Sequence, residues 1–368
     1  MDVFQISHKD YKVSSITGRY ILPGQVNKFF EACPESVQVH SLGKSAEGRN
    51  IQMAELGAGE IKILMWSQMH GNESTTTKAV VDLIAFLSSR NPTAMQLLEK
   101  CQLRIIGMLN PDGAVRYTRE NANGIDLNRD AHERTQPESR ILRKAFESFA
   151  PDFCFNLHDQ RTIYNVGHTD SPATLSFLAP SRDEERTVDA SREMSMQVIA
   201  AINEKLQRKI PGHIGRYDDA FNINCIGDTL QMHGTPTLLF EAGHYPGDYE
   251  REIVRGYVFH SLLAAIDTIA NASYLRYDVE SYLGIPENNK LYFDVLIRNF
   301  QWNNNKSAVE DLGILFREEL QEGRIGFKPY IQKRGDLGTY FGHTTYDFSN
   351  QKDLDSLINS SLRTILDI

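Results

Sequence analysis

The sequence predicts an α/β fold: a mixed, mostly parallel twisted sheet flanked by helices, followed by a small C-terminal β-rich domain. Three observations predict it. Short continuous apolar runs alternate with stretches of helical periodicity, as strands buried on both faces do between crossover helices. The polar residues best suited to chemistry stand at the carboxyl ends of those runs, where ligands of such sheets sit. After about residue 274 the alternation stops, and strand-like segments follow one another between polar turns. We divide the 368 residues accordingly into 1–274, an α/β domain, and 275–368, a small β-rich or α+β appendage.

Residues 24–30 carry Val26, Phe29 and Phe30 at helical spacing. SLGKSAEGRNIQMAELG (41–57) has the pattern of a hairpin between strands at 37–42 and 51–55, with Glu47-Gly48 at its turn. IKILMWS (61–67) is the first buried strand. The stretch 70–89 then sets Val80, Leu83, Ile84 and Leu87 on one helical face, with Asn72 or Ser74 able to cap its start. LRIIGMLN (103–110) is the second buried strand and runs into Asn-Pro-Asp-Gly, a strong turn signal. Pro137 opens a helix over 137–150. DFCFNLH (152–158) is the third buried strand, 184–206 a long amphipathic helix, TPTLLFEAGH (235–244) the fourth strand and 250–270 a further helix. Beyond 274, strand-like segments at 289–302, 311–320 and 324–333 are separated by the turns NNNK (303–306), QEG and RGD.

Hydrophobic residues make up 41% of the chain and charged ones 24%, as in globular proteins. The formal net charge of -9 argues against nucleic acid or an anionic membrane as a partner, since both ask for a basic face. No apolar stretch approaches the ~18 residues of a membrane span, and no signal peptide is visible, so a cytoplasmic location is expected. Cys33, Cys101, Cys154 and Cys225 are scattered without a C-x-x-C pair and read as reduced thiols.

His70-Gly-Asn-Glu73 places an imidazole and a carboxylate three residues apart on a strand-end turn entering a helix, and a later strand delivers His158 to the same sheet edge. Two histidines and a glutamate are three ligands of the kind zinc takes, leaving one open position. On the residues alone a second reading stands beside this: His158 as a core histidine bonded to a carbonyl, and Glu73 as a first-turn carboxylate favoured by the helix dipole. The segment 110–130 crowds Arg116, Arg119, Asn121, Asn123, Asp126, Asn128, Arg129 and Asp130 between a strand and a helix. Such a cluster is either a solvated loop or an active-site loop over a strand edge. An arginine there suits a carboxylate, which it can grip with two parallel hydrogen bonds. Glu241 ends an otherwise apolar strand and should face a cleft or a cation, because burying it unpaired is costly.

Taken in order, HGNE (70–73), NPDG (110–113), Arg119, GIDLNRD (124–130), the strand-end His158 and the strand-end Glu241 resemble the zinc carboxypeptidase family over roughly residues 40–270. The resemblance implies one Zn²⁺ per chain held by His70, Glu73 and His158, with Glu241 as general base and acid. It implies that Arg119 stabilises the oxyanion, that Asn128 and Arg129 grip a terminal carboxylate, and that Asp126 orients His70. The implied substrate is a peptide, or an acylated amino acid, with a free carboxylate. A tyrosine near the catalytic Glu closes over substrate in many members; Tyr217 is the candidate here, at a different offset. Further departures are Asp130 after the Asn-Arg pair and Asp159 after the second histidine; Asp159 and Arg161 either shape an unusual subsite or pair with each other. His244 and Tyr245 line the mouth or belong to a turn ending the strand. Ile226, Gly227 and Asp228 fall near the family's selectivity pocket. The implied activity is removal of C-terminal residues from peptides. The alternatives are a related N-acyl amino acid deacylase of the aspartoacylase or succinylglutamate desuccinylase kind, and a catalytically silent protein that binds zinc and carboxylates.

Overall fold

A computed structural model describes residues 2–302 and 305–368. Helix α1 (Pro23–Glu31) precedes a hairpin of strands β1 (Gln38–Lys44) and β2 (Asn50–Leu56), whose turn carries Gly48 at φ +80°. Then come β3 (Ile61–Ser67), α2 (Thr75–Leu87), α3 (Pro92–Lys100), β4 (Cys101–Ile106), α4 (Pro111–Arg116), α5 (Pro137–Phe149) and β5 (Phe153–Asp159). Next are β6 (Asn165–Val166), β7 (Leu175–Leu178), α6 (Ala190–Gln207), β8 (Ile214–Arg216), α7 (Ile226–Met232), β9 (Thr237–Ala242), α8 (Glu252–Ala270) and α9 (Val279–Leu283).

One sheet runs β1-β2-β4-β3-β5-β9-β7-β8. Its centre, β4-β3-β5-β9, is parallel; β2 joins β4, and β7 joins β9, antiparallel. The fold is therefore the mixed, mostly parallel α/β layer structure expected. Alternation along β3 shows why its apolar run is unbroken: Ile63 and Met65 pack on one face with α2, α6 and α8, while Leu64 and Trp66 pack on the other with Leu142 of α5 and Leu230 of α7. Both faces are covered, so neither tolerates polar residues. The short strands β7 and β8, and helices α3 and α7, were not foreseen; each is too brief to carry a period of its own.

Helix α8 revises one expectation. Its 19 residues reach a mean hydropathy of 1.3, long and apolar enough by composition to cross a membrane, but 78% of that window is buried inside the fold. It is a core helix, apolar over most of its surface because it is enclosed, with Arg255 and Asp267 held in ion pairs.

The C-terminal part begins with β10 (Asn288–Asn289), which pairs with β6, and continues as a second sheet of β11 (Tyr292–Trp302), β12 (Asn305–Gln321), β13 (Arg324–Gly335) and β14 (Phe341–Asp347). Its order is β13-β12-β11-β14, with α10 (Gln351–Ile358) and α11 (Arg363–Leu366) covering one face through Leu357, Leu362 and Leu366. The other face, with Phe293, Leu296 and Leu315, packs towards Ile163 of the α/β part. Of the turn expected at 303–306, Asn303 and Asn304 lie outside the described residues.

Candidate metal centre and active site

The end of β3 aims the first motif. The chain reverses at Gln68, whose φ is +50°. Its side chain holds that conformation from both ends, donating to the Gly71 carbonyl and accepting from Thr77 Oγ1, each at 2.8 Å. The backbone of Gly71 meets that of Gly113 so closely that a Cβ on Gly71 would stand 1.9 Å from a carbonyl carbon. Glycine is thus required in HGNE for it to interlock with NPDG. The latter is more than a turn: Asn110 accepts from the Gly113 N–H at 2.9 Å and Pro111 starts α4, so Asn and Pro act as helix cap and first residue.

Helix α2 begins at Thr75, but neither Asn72 nor Ser74 caps it; the Ser74 hydroxyl donates to the Arg19 carbonyl. The cap comes from another strand. Asp159 accepts from the N–H groups of Thr75 (2.9 Å) and Thr76 (3.3 Å). Of the two readings for Asp159 and Arg161, the mutual pair does not form, because Asp159 is committed to this helix start.

His70, Glu73 and His158 come together, all buried, with one ligand atom from each within 4.8 Å of the others. Glu73 bridges the rings: Oε1 lies 2.7 Å from His70 Nδ1 and Oε2 2.9 Å from His158 Nδ1. The two Nδ1 atoms stand 3.2 Å apart and both point inward. Burial opposes ionisation of Glu73, yet the imidazoles beside it hold its carboxyl well below the ordinary range. Burial lowers His158, while Glu73 and Asp126 outweigh burial at His70 and raise it. Two inward imidazole nitrogens and a carboxylate in a closed space form a donor set that fits zinc. His70 turns its other nitrogen to Asp126 Oδ1 at 3.0 Å, the outward contact a metal-bound imidazole usually makes.

Asp126 holds Arg119 as well, accepting from its Nε at 3.0 Å, while Arg119 Nη1 reaches Glu73 at 3.4 Å. Glu241 stands opposite His158 in the β5–β9 register and lines the same cavity. Its Oε2 is buried without a hydrogen-bond partner among the described residues. Burial, with Glu73 and Asp159 nearby, pushes its carboxyl well above the usual range. Asn128 and Arg129 line the cavity beside α7: Asn128 Oδ1 accepts from the Ile226 N–H (3.1 Å), and Arg129 Nη1 donates to the Asn128 carbonyl and to Cys225 Sγ. Tyr217 also lines it, its hydroxyl 2.7 Å from that of Tyr164. Gly227 and Asp228 face the cavity, and burial raises Asp228 to about 7.

Other residues of the polar loop serve the loop itself. Arg116 pairs with Glu47, Asn121 donates to Gln136 and Glu138, and Asp130 accepts from the N–H groups of Thr135 and Gln136 just before α5. His244 is buried against His343 and Tyr249 and lies off the cavity, as in the turn reading. Sequence reasoning missed Arg19, Arg251 and Glu318, all on the cavity wall. Their one signal was Arg19 itself, a lone charge in ITGRYIL that is only 6% exposed.

The profile of the zinc carboxypeptidase family matches residues 25–220, more than half of the chain. The chain belongs to the zinc carboxypeptidase family. The match takes in His70, Glu73, Arg119, Asp126, Asn128, Arg129 and His158 and stops short of Glu241. Among relatives, carboxypeptidase D of Homo sapiens is 25% identical over 185 residues, covering 43% of this chain and 13% of that protein. Carboxypeptidase 2 of Trichophyton rubrum is 29% identical over 131 residues, covering 33% and 24%. A metallo-carboxypeptidase from Burkholderia cenocepacia shares the fold with a TM-score of 0.55 at 19% identity, covering 68% of this chain and 69% of that one. The chain spans about half or less of the length of the curated relatives it matches. Membership of the family implies zinc, and the His-Glu-His group is a donor set able to hold a metal.

Proposed function

We propose that this zinc carboxypeptidase removes C-terminal residues from peptides, with Glu241 moving the proton. The observation that carries the reading is the pairing of the buried His70–Glu73–His158 donor set with Glu241, one strand away, whose Oε2 has no hydrogen-bond partner among the described residues. Zinc at the donor set would supply Lewis-acid polarisation of the scissile carbonyl and of water. Glu241 takes a proton from the attacking water and returns it to the leaving amine, a role its unpartnered oxygen leaves open. Arg119 donates hydrogen bonds to the oxygen on which negative charge grows. Arg129, with Asn128 holding the backbone beside it, meets the substrate's terminal carboxylate through its guanidinium. Tyr217, which lines the cavity, closes its hydroxyl over the bound residue. A cytoplasmic location goes with this reading, since Cys33, Cys101, Cys154 and Cys225 are all free thiols.

Zinc-loaded protein should hydrolyse peptides with a free C-terminus and leave their C-terminal amides intact. Glu241→Gln should lose about 10²–10⁴ in turnover while keeping one zinc per chain by metal analysis. Equal cleavage of acid and amide would remove the carboxylate clamp from the account, and a fully active Glu241→Gln would remove the base.

A further inference from the structure

The α/β part does not enclose the site alone. Phe316 and Glu318 of β12, with Phe327 and Tyr330 of β13, line the same 680 Å³ cavity as His70, Glu73 and His158. This wall is fastened in place. Arg19 donates to both oxygens of Glu318 at 2.6 and 2.7 Å, and Tyr117 donates to the same carboxylate. Asp294 of β11 accepts from the Phe316 N–H at 2.7 Å and from the Tyr249 hydroxyl at 3.0 Å. The Tyr249 ring then packs on Phe316 and Phe327, with centroids 5.5 and 5.2 Å away. Arg19 and Asp294 are both buried, so these contacts hold a fixed surface.

The wall also has a definite place relative to the site. A chain of contacts runs from the Asn128–Arg129 clamp through Asp126 to His70 and Glu73, then to the Asp159 N–H. Asp159 lies in the field of Arg19, which holds Glu318. The contacts thus order the lining as clamp, metal donors and β12–β13 wall, all on one cavity. A substrate with its carboxylate on Arg129 and its scissile carbonyl at the donors has its acyl part directed at the wall.

We propose that the C-terminal sheet makes this enzyme one for short substrates, di- and tripeptides, by blocking the space that a longer peptide needs upstream of the cut. The inference rests on the carboxypeptidase reading above and adds the substrate's length. The cavity's size agrees, falling within the ~300–1,000 Å³ typical of small-molecule sites, and the aromatic wall sets a steric rejection of longer chains beside the attraction for the carboxylate.

The test is a length ladder. Peptide pools of two, three, five and eight residues, each with all twenty C-terminal residues, are incubated with the zinc-loaded full chain, and released amino acids are counted by mass spectrometry. We expect kcat/KM to fall by roughly a hundredfold or more from three residues to eight. In the double variant Phe327→Ala/Tyr330→Ala the ratio of eight-residue to three-residue rates should rise at least about tenfold. Equal rates at all lengths overturn the wall and leave the proposed function standing. A wild-type preference for short peptides that the double variant keeps unchanged overturns the assignment to β13. No hydrolysis at any length removes the peptidase reading itself, and this inference with it.

Discussion

Arg119 shows how one side chain joins two tasks. Its Nε is anchored on Asp126, which also orients His70, and its Nη1 points to Glu73, so the guanidinium is aimed over the metal donors while remaining 42% exposed to the cavity. Arg119→Ala should lower turnover about 10²–10³-fold with zinc content unchanged; near-normal turnover, or loss of the metal, would rule out an oxyanion role. Asp228 gives a pH prediction. Burial raises its folded-state pKa from 3.8 to about 7. A raised carboxyl stabilises the fold fully below its unfolded pKa, and that stability is lost as pH climbs through the folded value. The loss between pH 4 and 7 is at most about 4 kcal/mol. Asp228→Asn keeps an oxygen for the Asn222 N–H and removes the titration. The denaturant midpoint of the wild type should therefore fall further from pH 4.5 to pH 8 than that of Asp228→Asn. An identical pH dependence in both proteins would refute the raised carboxyl.

At the scale of elements, α2 and α8 are locked by a buried ion pair. Arg255 gives two parallel hydrogen bonds to Asp82, each 2.6 Å, and neither side chain is exposed. Asp82 also accepts from the Val13 N–H and meets His8 Nε2, while Arg255 donates to the carbonyls of Val13 and Ile16, so the N-terminal segment is pinned across both helices. Asp82→Ala should cost about 3–5 kcal/mol, since it takes the two-bond partner from a buried guanidinium and leaves it, among the described residues, only the 3.2 Å ion pair with Glu252. A loss below about 1 kcal/mol in denaturant unfolding would mean that water reaches the site. The expected cap of α2 teaches a related lesson. Ser74 has the residue type of a cap and the right position, yet Asp159 supplies the hydrogen bonds, because a strand-end carboxylate was already aimed at the helix start by the β3–β5 register.

For the whole molecule, a metal that binds the folded donor set and not the unfolded chain adds stability by mass action. Zinc at about a thousand times its dissociation constant adds about 4 kcal/mol. Thermal unfolding should therefore move up by several degrees on zinc addition and back on chelation, and His158→Ala should abolish the response. A wild-type melting temperature indifferent to both zinc and chelator would sink the metal site. The same scale holds the linkage between the two sheets, for Arg19 and Glu318 are 299 residues apart and meet at the cavity.

What the sequence determined by itself was local or periodic. Four apolar runs read as strands covered on both faces, and His70, Glu73, His158 and Glu241 were tied to their ends, so the sheet edge could be read directly, whereas the residues alone left a core-histidine reading beside the metal one. The polar loop was legible as a cluster, but not in its division of labour, since Arg119 and Arg116 are equivalent in composition and differ only in what they face. The tertiary structure alone decided that Asp159 caps α2, that Asn128 holds the start of α7, and that β12 and β13 close the cavity. Each of those contacts joins residues far apart in the chain, and no side chain announces a distant partner until packing has set the distance between them.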